Sequence, residues 1–283
     1  MCLLAACLLV CLSAYAEVFF DRPPTDNWYK SPLLRLTVFD TAQSDCMLLE
    51  CGGESMMIDG GTASFRENLK LAAEEKGIRR FRYLLNTHFH EDHISGLYWL
   101  MKYGFEADAY LHPYHDRFAT EISFRHREAV DAAGRAGIPI RQIFHGDELI
   151  LGEAVLTLIR HDDGDTTNAR SVVTRVDFGD ASILLTADII GRTQTWMVNN
   201  LPEGMLDVDI LKAPHHGITP MVDKFVDETS PDVVFMTNDP DRVSDGRMQM
   251  EKRGIPLFFT GEGRTVFETD GENWYVYQNP GVF

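Results

Sequence analysis

The sequence of 283 residues lacks several features that would assign it to a common class of protein. It has 26 Lys and Arg against 43 Asp and Glu, a net charge of −17, with no run of five or six like charges. Sequence-independent nucleic-acid binding normally needs a basic face, so this charge disfavours nucleic acid as a partner. The sequence contains no phosphate-binding P-loop, dinucleotide fingerprint or G-x-S-x-G elbow. Neither a nucleotide cofactor nor a serine nucleophile of that type is therefore implied.

No apolar run is long enough to span a membrane. Residues 1–16 are uncharged and almost wholly apolar, but Leu3–Leu12 is shorter than the roughly 20 residues that a transmembrane helix needs. Ala14-Tyr15-Ala16 is a small-x-small cleavage signature, although no Lys or Arg stands near Met1. We therefore predict a signal peptide over residues 1–16, a single domain over residues 17–283, and a secreted or cell-envelope location. A buried N-terminal helix is the alternative.

Cysteine is scarce once this segment is set aside, because only Cys46 and Cys51 remain. They flank the expected strand Met47–Glu50. Five residues of extended chain span about 16 Å, whereas a disulfide needs Cα atoms within about 7 Å. Two packed thiols are therefore expected rather than a disulfide. The sequence contains no CxxC pair or zinc-finger spacing.

The apolar fraction of 45% and the charged fraction of 24% are those of a globular protein. Apolar alternation predicts strands early in the chain, with a hairpin turned at Gly52-Gly53, followed by helical segments. A second set of strands, including Ala154–Ile159 and Ser182–Thr186, precedes further helices. The order of strands, helices, strands and helices suits an α/β fold, in which two mixed sheets pack together and helices cover their outer faces.

The strongest chemical signal is the segment Thr87-His88-Phe89-His90-Glu91-Asp92-His93. Three imidazoles and a carboxylate within six residues match the ligand set of zinc or a similar divalent ion. His88 and His90 point the same way in an extended chain. Asp92 and His93 follow where the chain turns into a helix, so they can face a second ion. A surface loop that is merely rich in histidine is the alternative.

This segment resembles the HxHxDH motif of the metallo-β-lactamase superfamily, and weaker matches follow in the family's order. Together they resemble the branch containing the nuclease-like domains of competence DNA-uptake proteins and the phosphorylcholine esterases. The resemblance implies an αββα sandwich, the metallo-β-lactamase fold. The weaker matches are Phe39–Asp45 for F-x-D-V-G-Q-G-D, Asp59-Gly60-Gly61 for D-G-G, Leu185–Asp188 for L-T-G-D, and Leu211–Gly217 for L-K-x-x-H-H-G. Ala42, Ser44 and Ala187 stand where the family has Gly, and Ile218 stands where the full last motif, L-K-x-x-H-H-G-S, has Ser.

The resemblance also implies a site for one or two Zn²⁺ ions, with Mn²⁺ as a further candidate. His88 and His90 would hold the first ion, together with one histidine of the His215-His216 pair. Asp92 and His93 would hold the second ion, and Asp92 would also orient the attacking water. The bridging ligand would be Asp188. The histidine of the pair that does not bind metal is expected to meet the substrate or a neighbouring acid.

One departure concerns the histidine that most hydrolytic members have before the bridging aspartate. In those members this histidine completes the second ion's site. Here Asn168 and Ser171 fit the N-x-x-S pattern of the branch named above, which has no histidine there. The second ion is therefore expected to be weakly held, or completed by water and an acid such as Asp165. His161 is interpreted as a structural or surface residue.

The implied function is a metal-dependent hydrolase that attacks a phosphodiester or phosphoester with metal-activated water. A β-lactam or lactone hydrolase is the runner-up, and the missing histidine disfavours it. The third hypothesis is a zinc-binding protein with a degenerate site, against which the complete HxHxDH motif argues.

Overall fold

A computed structural model describes residues 16–23, 33–113 and 124–280 of the chain. Within them, sixteen strands form two sheets. The strands are β1 (Glu17–Phe19), β2 (Leu34–Val38), β3 (Cys46–Cys51), β4 (Glu54–Gly60), β5 (Arg80–Leu85), β6 (Glu106–His112), β7 (Ile140–Gln142), β8 (Glu148–Leu151), β9 (Ala154–Ile159), β10 (Val173–Phe178), β11 (Ala181–Leu185), β12 (Ile210–Lys212), β13 (Val233–Met236), β14 (Leu257–Phe259), β15 (Arg264–Thr269) and β16 (Asn273–Asn279).

Both sheets are mixed, as predicted. The nine-stranded sheet has the order β1-β16-β15-β2-β3-β4-β5-β6-β7, and the seven-stranded sheet has the order β14-β13-β12-β11-β10-β9-β8. Strands β2, β3 and β4 pair antiparallel through short turns, including the predicted turn at Gly52-Gly53. Strands β4 to β7 and β11 to β14 pair parallel, which requires crossover connections.

In the described part of the chain six helices, one in each of these crossovers, cover the outer faces of the sheets. They are α1 (Arg66–Glu75), α2 (Glu91–Lys102), α3 (Phe124–Arg135), α4 (Gly191–Asn200), α5 (Asp223–Thr229) and α6 (Asp245–Arg253). Side chains of α1, α2 and α3 share a core cluster with the first sheet, and those of α4, α5 and α6 share one with the second. A third cluster joins strands of both sheets. The predicted αββα sandwich is therefore confirmed.

Strand β3 shows why the sequence folds into these layers. Met47 and Leu49 belong to the cluster between the sheets, whereas Cys46 and Leu48 belong to the cluster under the helices. A strand buried on both faces has no polar side, and its apolar residues need not alternate with polar ones. Cys46 and Cys51 are both buried and unbonded, as expected.

Helix α2 packs against β4 through two glycines. A Cβ on Gly96 would lie 1.9 Å from the carbonyl oxygen of Gly60, so the two backbones are in direct contact. The Gly96 amide donates to the Gly61 carbonyl at 3.2 Å, and the Asp45 amide donates to the Asp92 carbonyl at the same distance. These contacts fix the first turn of α2 against the sheet.

The predicted signal peptide falls almost wholly on residues 1–15, which lie outside the described residues. Directly after it, β1 pairs in parallel with β16. Among the described residues, no helix has both the length and the apolar character needed to cross a membrane.

Candidate metal centre

Three loops bring the seven predicted ligands together. The segment that joins β5 to α2 carries His88 and His90, and the first turn of α2 carries Asp92 and His93. The other three residues, Asp188, His215 and His216, follow β11 and β12, which are parallel neighbours in the second sheet. Carboxyl ends of parallel strands meet at one edge of a sheet, so these loops lie side by side.

Four of the side chains form one compact group. His93 Nε2 lies 3.8 Å from Asp92 Oδ2 and 3.4 Å from Asp188 Oδ1. His216 Nε2 lies 3.4 Å from Asp92 Oδ2 and 3.5 Å from Asp188 Oδ2. One ligand atom from each side chain falls within 4.8 Å of the others. We call this set, Asp92, His93, Asp188 and His216, the four-donor group.

A second set, the three-donor group, consists of His88, His90 and Asp188. His88 Nε2 lies 3.0 Å from His90 Nδ1 and 3.9 Å from Asp188 Oδ2. Zinc–nitrogen bonds are about 2.0–2.1 Å long, so two nitrogens at this separation can bind one ion. Asp188 belongs to both groups, which is the position expected of a bridging ligand.

The buried atoms that face one another in the four-donor group fit bound cations. His93 Nε2, Asp188 Oδ1 and His216 Nε2 have no hydrogen-bond partner among the described residues, although all three residues are almost fully buried. Leaving such atoms unpaired is costly, and a metal ion satisfies them without further hydrogen bonds. Imidazole and carboxylate donors suit zinc, manganese and iron. The cluster therefore fits a dinuclear metal site.

The electrostatics favour a cation in the same place. Burial raises the pKa of the Asp188 carboxyl, but His93 and His216 outweigh burial and hold this pKa well below its usual value. Burial also raises the pKa of Asp45, which the Lys212 ammonium and the His216 contact then lower below its usual value. Both carboxyls are therefore ionised at neutral pH, inside a region that excludes water.

The grouping differs from the one expected from the sequence. His216 stands with Asp92 and His93, not with His88 and His90. The four-donor group therefore offers an ion more protein ligands, and the three-donor group leaves more coordination positions open. Asp165, the acid expected to help the second ion, is instead exposed and pairs with Arg192 at 2.6 Å.

The two adjacent histidines have different environments. His216 is buried, whereas the side chain of His215 is 32% exposed, with Nε2 3.9 Å from Asp188 Oδ2. Both residues have left-handed backbone conformations, with φ of 50° and 57°. His215 therefore lies at the open edge of the site, and His216 lies inside it. His161 stacks on Trp196 with ring centroids 4.8 Å apart, which agrees with its interpretation as a structural residue.

The sequence did not assign roles to the residues that support the ligands. Asp59 accepts from His93 Nδ1 at 2.7 Å, and Asp45 Oδ1 lies 3.3 Å from His216 Nδ1. Thr237 contacts both Asp45 and His216. Asp45 and Asp59 lie in segments that resemble family motifs, which signalled a role for them. Nothing in the sequence singled out Thr237.

Comparison with known proteins agrees with the fold. A family model described as the metallo-beta-lactamase superfamily matches residues 40–229. No curated protein sequence gives a significant match. The metallo-β-lactamase fold protein YhfI from Bacillus subtilis is 13% identical with a TM-score of 0.53, over 84% of this chain and all of that one. Igni18, a metallo hydrolase from Ignicoccus hospitalis, is 15% identical with a TM-score of 0.53, over the same shares.

CmlA, a diiron β-hydroxylase from Streptomyces venezuelae, is 14% identical with a TM-score of 0.50, over 79% of this chain and 52% of that one. At these identities the structural likenesses concern the fold alone. The family match covers most of the chain and includes the HxHxDH segment and Asp188. The chain therefore belongs to the metallo-β-lactamase superfamily.

Proposed function

We propose that the protein is a metal-dependent hydrolase that cleaves a phosphodiester or phosphoester. The observation that carries this proposal is the buried Asp188 carboxylate, which is shared by a four-donor and a three-donor group beside the exposed edge of His215. Zn²⁺ or Mn²⁺ held by these groups would supply an activated water at neutral pH and would polarise the bond to be cleaved.

Two side chains of the site, Asp92 and His215, can assist the other steps of the hydrolysis. Asp92 is 33% exposed, and its carboxylate faces both His93 and His216, so it can accept a hydrogen bond from the attacking water and orient it. His215 lies on the open side of Asp188, where its Nε2 can donate to a phosphoryl oxygen or to the leaving oxygen. A group that holds the nucleophile and another that assists the leaving atom are the two requirements of such a hydrolysis.

One argument favours a phosphorus ester over a β-lactam or a lactone. The Gln43/Asp45, Asn168/Ser171 and His215-His216-Gly217 segments resemble a branch that cleaves phosphodiesters. The open coordination positions of the three-donor group can accept the phosphoryl oxygen of such a substrate. The net charge of −17 does not prevent an anionic substrate from binding, because bound divalent ions are the largest charges in such a site.

The test uses protein that begins at Glu17, reconstituted separately with zinc and with manganese. Metal content is measured first, followed by turnover of bis-p-nitrophenyl phosphate, nitrocefin and a simple lactone. We expect phosphodiester turnover with metal bound, and its strong reduction in His215→Asn. His161→Asn is the matched control and should remain active.

Each other outcome of this panel favours one alternative. Turnover of nitrocefin or of the lactone alone supports the runner-up. Bound metal without turnover of any substrate supports a degenerate metal-binding protein. We further propose that the protein acts outside the cytoplasm, because residues 1–16 have the composition and cleavage signature of a signal peptide.

A further inference from the structure

Three imidazoles of the centre present Nε2 to the other ligands and have Nδ1 in contact with the protein. His93 Nδ1 lies 2.7 Å from Asp59 Oδ2, His216 Nδ1 lies 2.9 Å from Thr237 Oγ1, and His88 Nδ1 lies 3.2 Å from Thr87 Oγ1. A neutral imidazole binds metal only through its unprotonated nitrogen. The proton must therefore reside on Nδ1 for Nε2 to serve as the ligand.

The direction of the two threonine hydrogen bonds follows from counting protons. Thr237 Oγ1 lies 2.7 Å from Asp45 Oδ1, and Thr87 Oγ1 lies 2.5 Å from Asp59 Oδ2. A hydroxyl has one proton, and an ionised carboxylate can only accept. Each threonine therefore donates to its carboxylate, and its lone pairs accept the Nδ1 proton of the histidine.

Donor groups contact both oxygens of each carboxylate, so the geometry makes both carboxylates acceptors. Asp45 and Lys212 are both fully buried, and Lys212 Nζ lies 2.8 Å from Asp45 Oδ2. Asp59 Oδ1 accepts from the Thr87 amide at 2.8 Å, while Oδ2 faces His93 Nδ1. Asp45 Oδ1 also lies 3.3 Å from His216 Nδ1, so both possible acceptors for this ring require a proton on the same nitrogen.

We propose that Thr237 and Thr87 are positioning residues that set the tautomers of His216 and His88. Thr237 acts with Asp45 and Lys212 on the four-donor group, and Thr87 acts with Asp59 on the three-donor group. Each hydroxyl links a buried carboxylate to a ring Nδ1 and leaves Nε2 unprotonated for the ion. The inference rests on the proposed metal centre, but it does not depend on which substrate is cleaved.

The first test is nuclear magnetic resonance of the zinc-loaded protein labelled with ¹⁵N-histidine. We expect Nδ1–H signals from His216 and His88 that exchange slowly with water. Thr237→Val should shift the His216 signal and speed its exchange without changing that of His88, and Thr87→Val should do the reverse. Metal coordination through Nδ1, or signals that neither variant changes, would overturn the proposal.

The second test measures zinc affinity by competition with a chelator. Mutation of an outer hydrogen-bond partner of a metal ligand typically costs 10- to 100-fold in affinity. We expect a loss of about tenfold for one ion in Thr237→Val and in Thr87→Val, and a return to near the wild-type value in Thr237→Ser. Asp45→Asn should lose more, but it leaves Lys212 buried without its partner and can fail to fold, so the threonine variants decide.

Thr174→Val is the matched control for both tests. Thr174 is fully buried in β10, and its hydroxyl has no hydrogen-bond partner among the described residues. It should keep wild-type affinity and leave the histidine signals in place. Zinc affinities in Thr237→Val and Thr87→Val equal to this control would refute the proposal. Wild-type protein that binds zinc with the expected tautomers but cleaves no phosphodiester would refute only the proposed function.

Discussion

Replacing Gly96 with alanine should both destabilise the fold and weaken the metal centre. The added Cβ would lie 1.9 Å from the oxygen, 2.6 Å from the carbon and 2.9 Å from the Cα of Gly60. All three atoms belong to the backbone, so no side-chain rotation can relieve the overlap. To regain ordinary contact, α2 must move away from β4 by about 1.5 Å.

The expected cost is that of overpacking against a rigid neighbour, on the order of 3 kcal/mol. In a protein of 283 residues that corresponds to a decrease in Tm of roughly 5 °C. The same displacement moves Asp92 and His93, which lie in the first turn of α2. Metal–ligand distances tolerate changes of only about 0.2 Å, so the four-donor group should lose its ion.

Gly134→Ala is the matched control, because Gly134 lies in α3 and a Cβ there meets no atom within 4 Å. Alanine is the better helix former by about 0.5–1 kcal/mol, so this variant should have a slightly higher Tm and full metal content. Thermal unfolding and metal analysis of the two variants complete the assay. A Gly96→Ala protein with wild-type Tm and metal content would refute the close contact between α2 and β4.

Four further predictions follow from the site, the buried groups and the amino end. Asp92→Asn should lower kcat/KM about 10²-fold or more while the protein stays folded, and wild-type turnover would exclude the role of Asp92. Mild chelation should remove the ion of the three-donor group first, and metal analysis should show that His216→Ala weakens the remaining ion more than His88→Ala does. Burial lowers the pKa of His126 to about 4. The unfolded chain therefore takes up a proton on His126 near pH 6.5, whereas the folded chain takes it up only near pH 4. The free energy of unfolding should therefore fall by about 3 kcal/mol as the pH drops from 6.5 to 4. Denaturant titrations at several pH values should show a smaller fall in His126→Gln. N-terminal sequencing of protein from its native source should begin near Glu17, and an intact Met1 in a cytoplasmic fraction would reject the signal peptide.

The layers of the fold and most of the candidate ligands could be predicted because their signals are local. One short segment after an apolar strand contains His88, His90, Asp92 and His93. Their closeness in space can therefore be predicted without knowing the tertiary structure. Apolar runs bounded by turn residues likewise predict the strands, including strands such as β11 and β13 that are buried on both faces. Hairpin turns such as Gly52-Gly53 are marked by the residues that tolerate positive φ.

The grouping of the ligands could not be predicted, because it depends on backbone conformation and on distant contacts. His215 and His216 are neighbours in the sequence, and their left-handed conformations send one ring inside and leave the other at the edge. Thr237 contacts Asp45 across 192 positions of sequence. No local pattern records such a contact, so the sequence could not assign Thr237 a role.

Backbone strain is concentrated at the same place. Among the described residues other than glycine, positive φ occurs at Ser230 and at five positions in or next to the loops of the centre: Ala42, Asp59, Ala187, His215 and His216. Each such residue costs roughly 1–2 kcal/mol. Ala42 and Ala187 stand where the resembling family segments have Gly, so here the chain keeps the loop shape at a higher conformational cost.

The contacts around Ala187 show which interactions offset this conformational free energy. Its carbonyl accepts from Lys212 Nζ at 2.9 Å and from the His215 amide at 3.0 Å. The same ammonium pairs with Asp45, whose carboxylate lies beside the Nδ1 of His216. One buried lysine therefore joins the strained turn before Asp188, the histidine turn and the carboxylate behind His216. Because strain persists only where surrounding contacts over-determine it, the network that holds the loops in left-handed conformations is also the one that fixes the ligands.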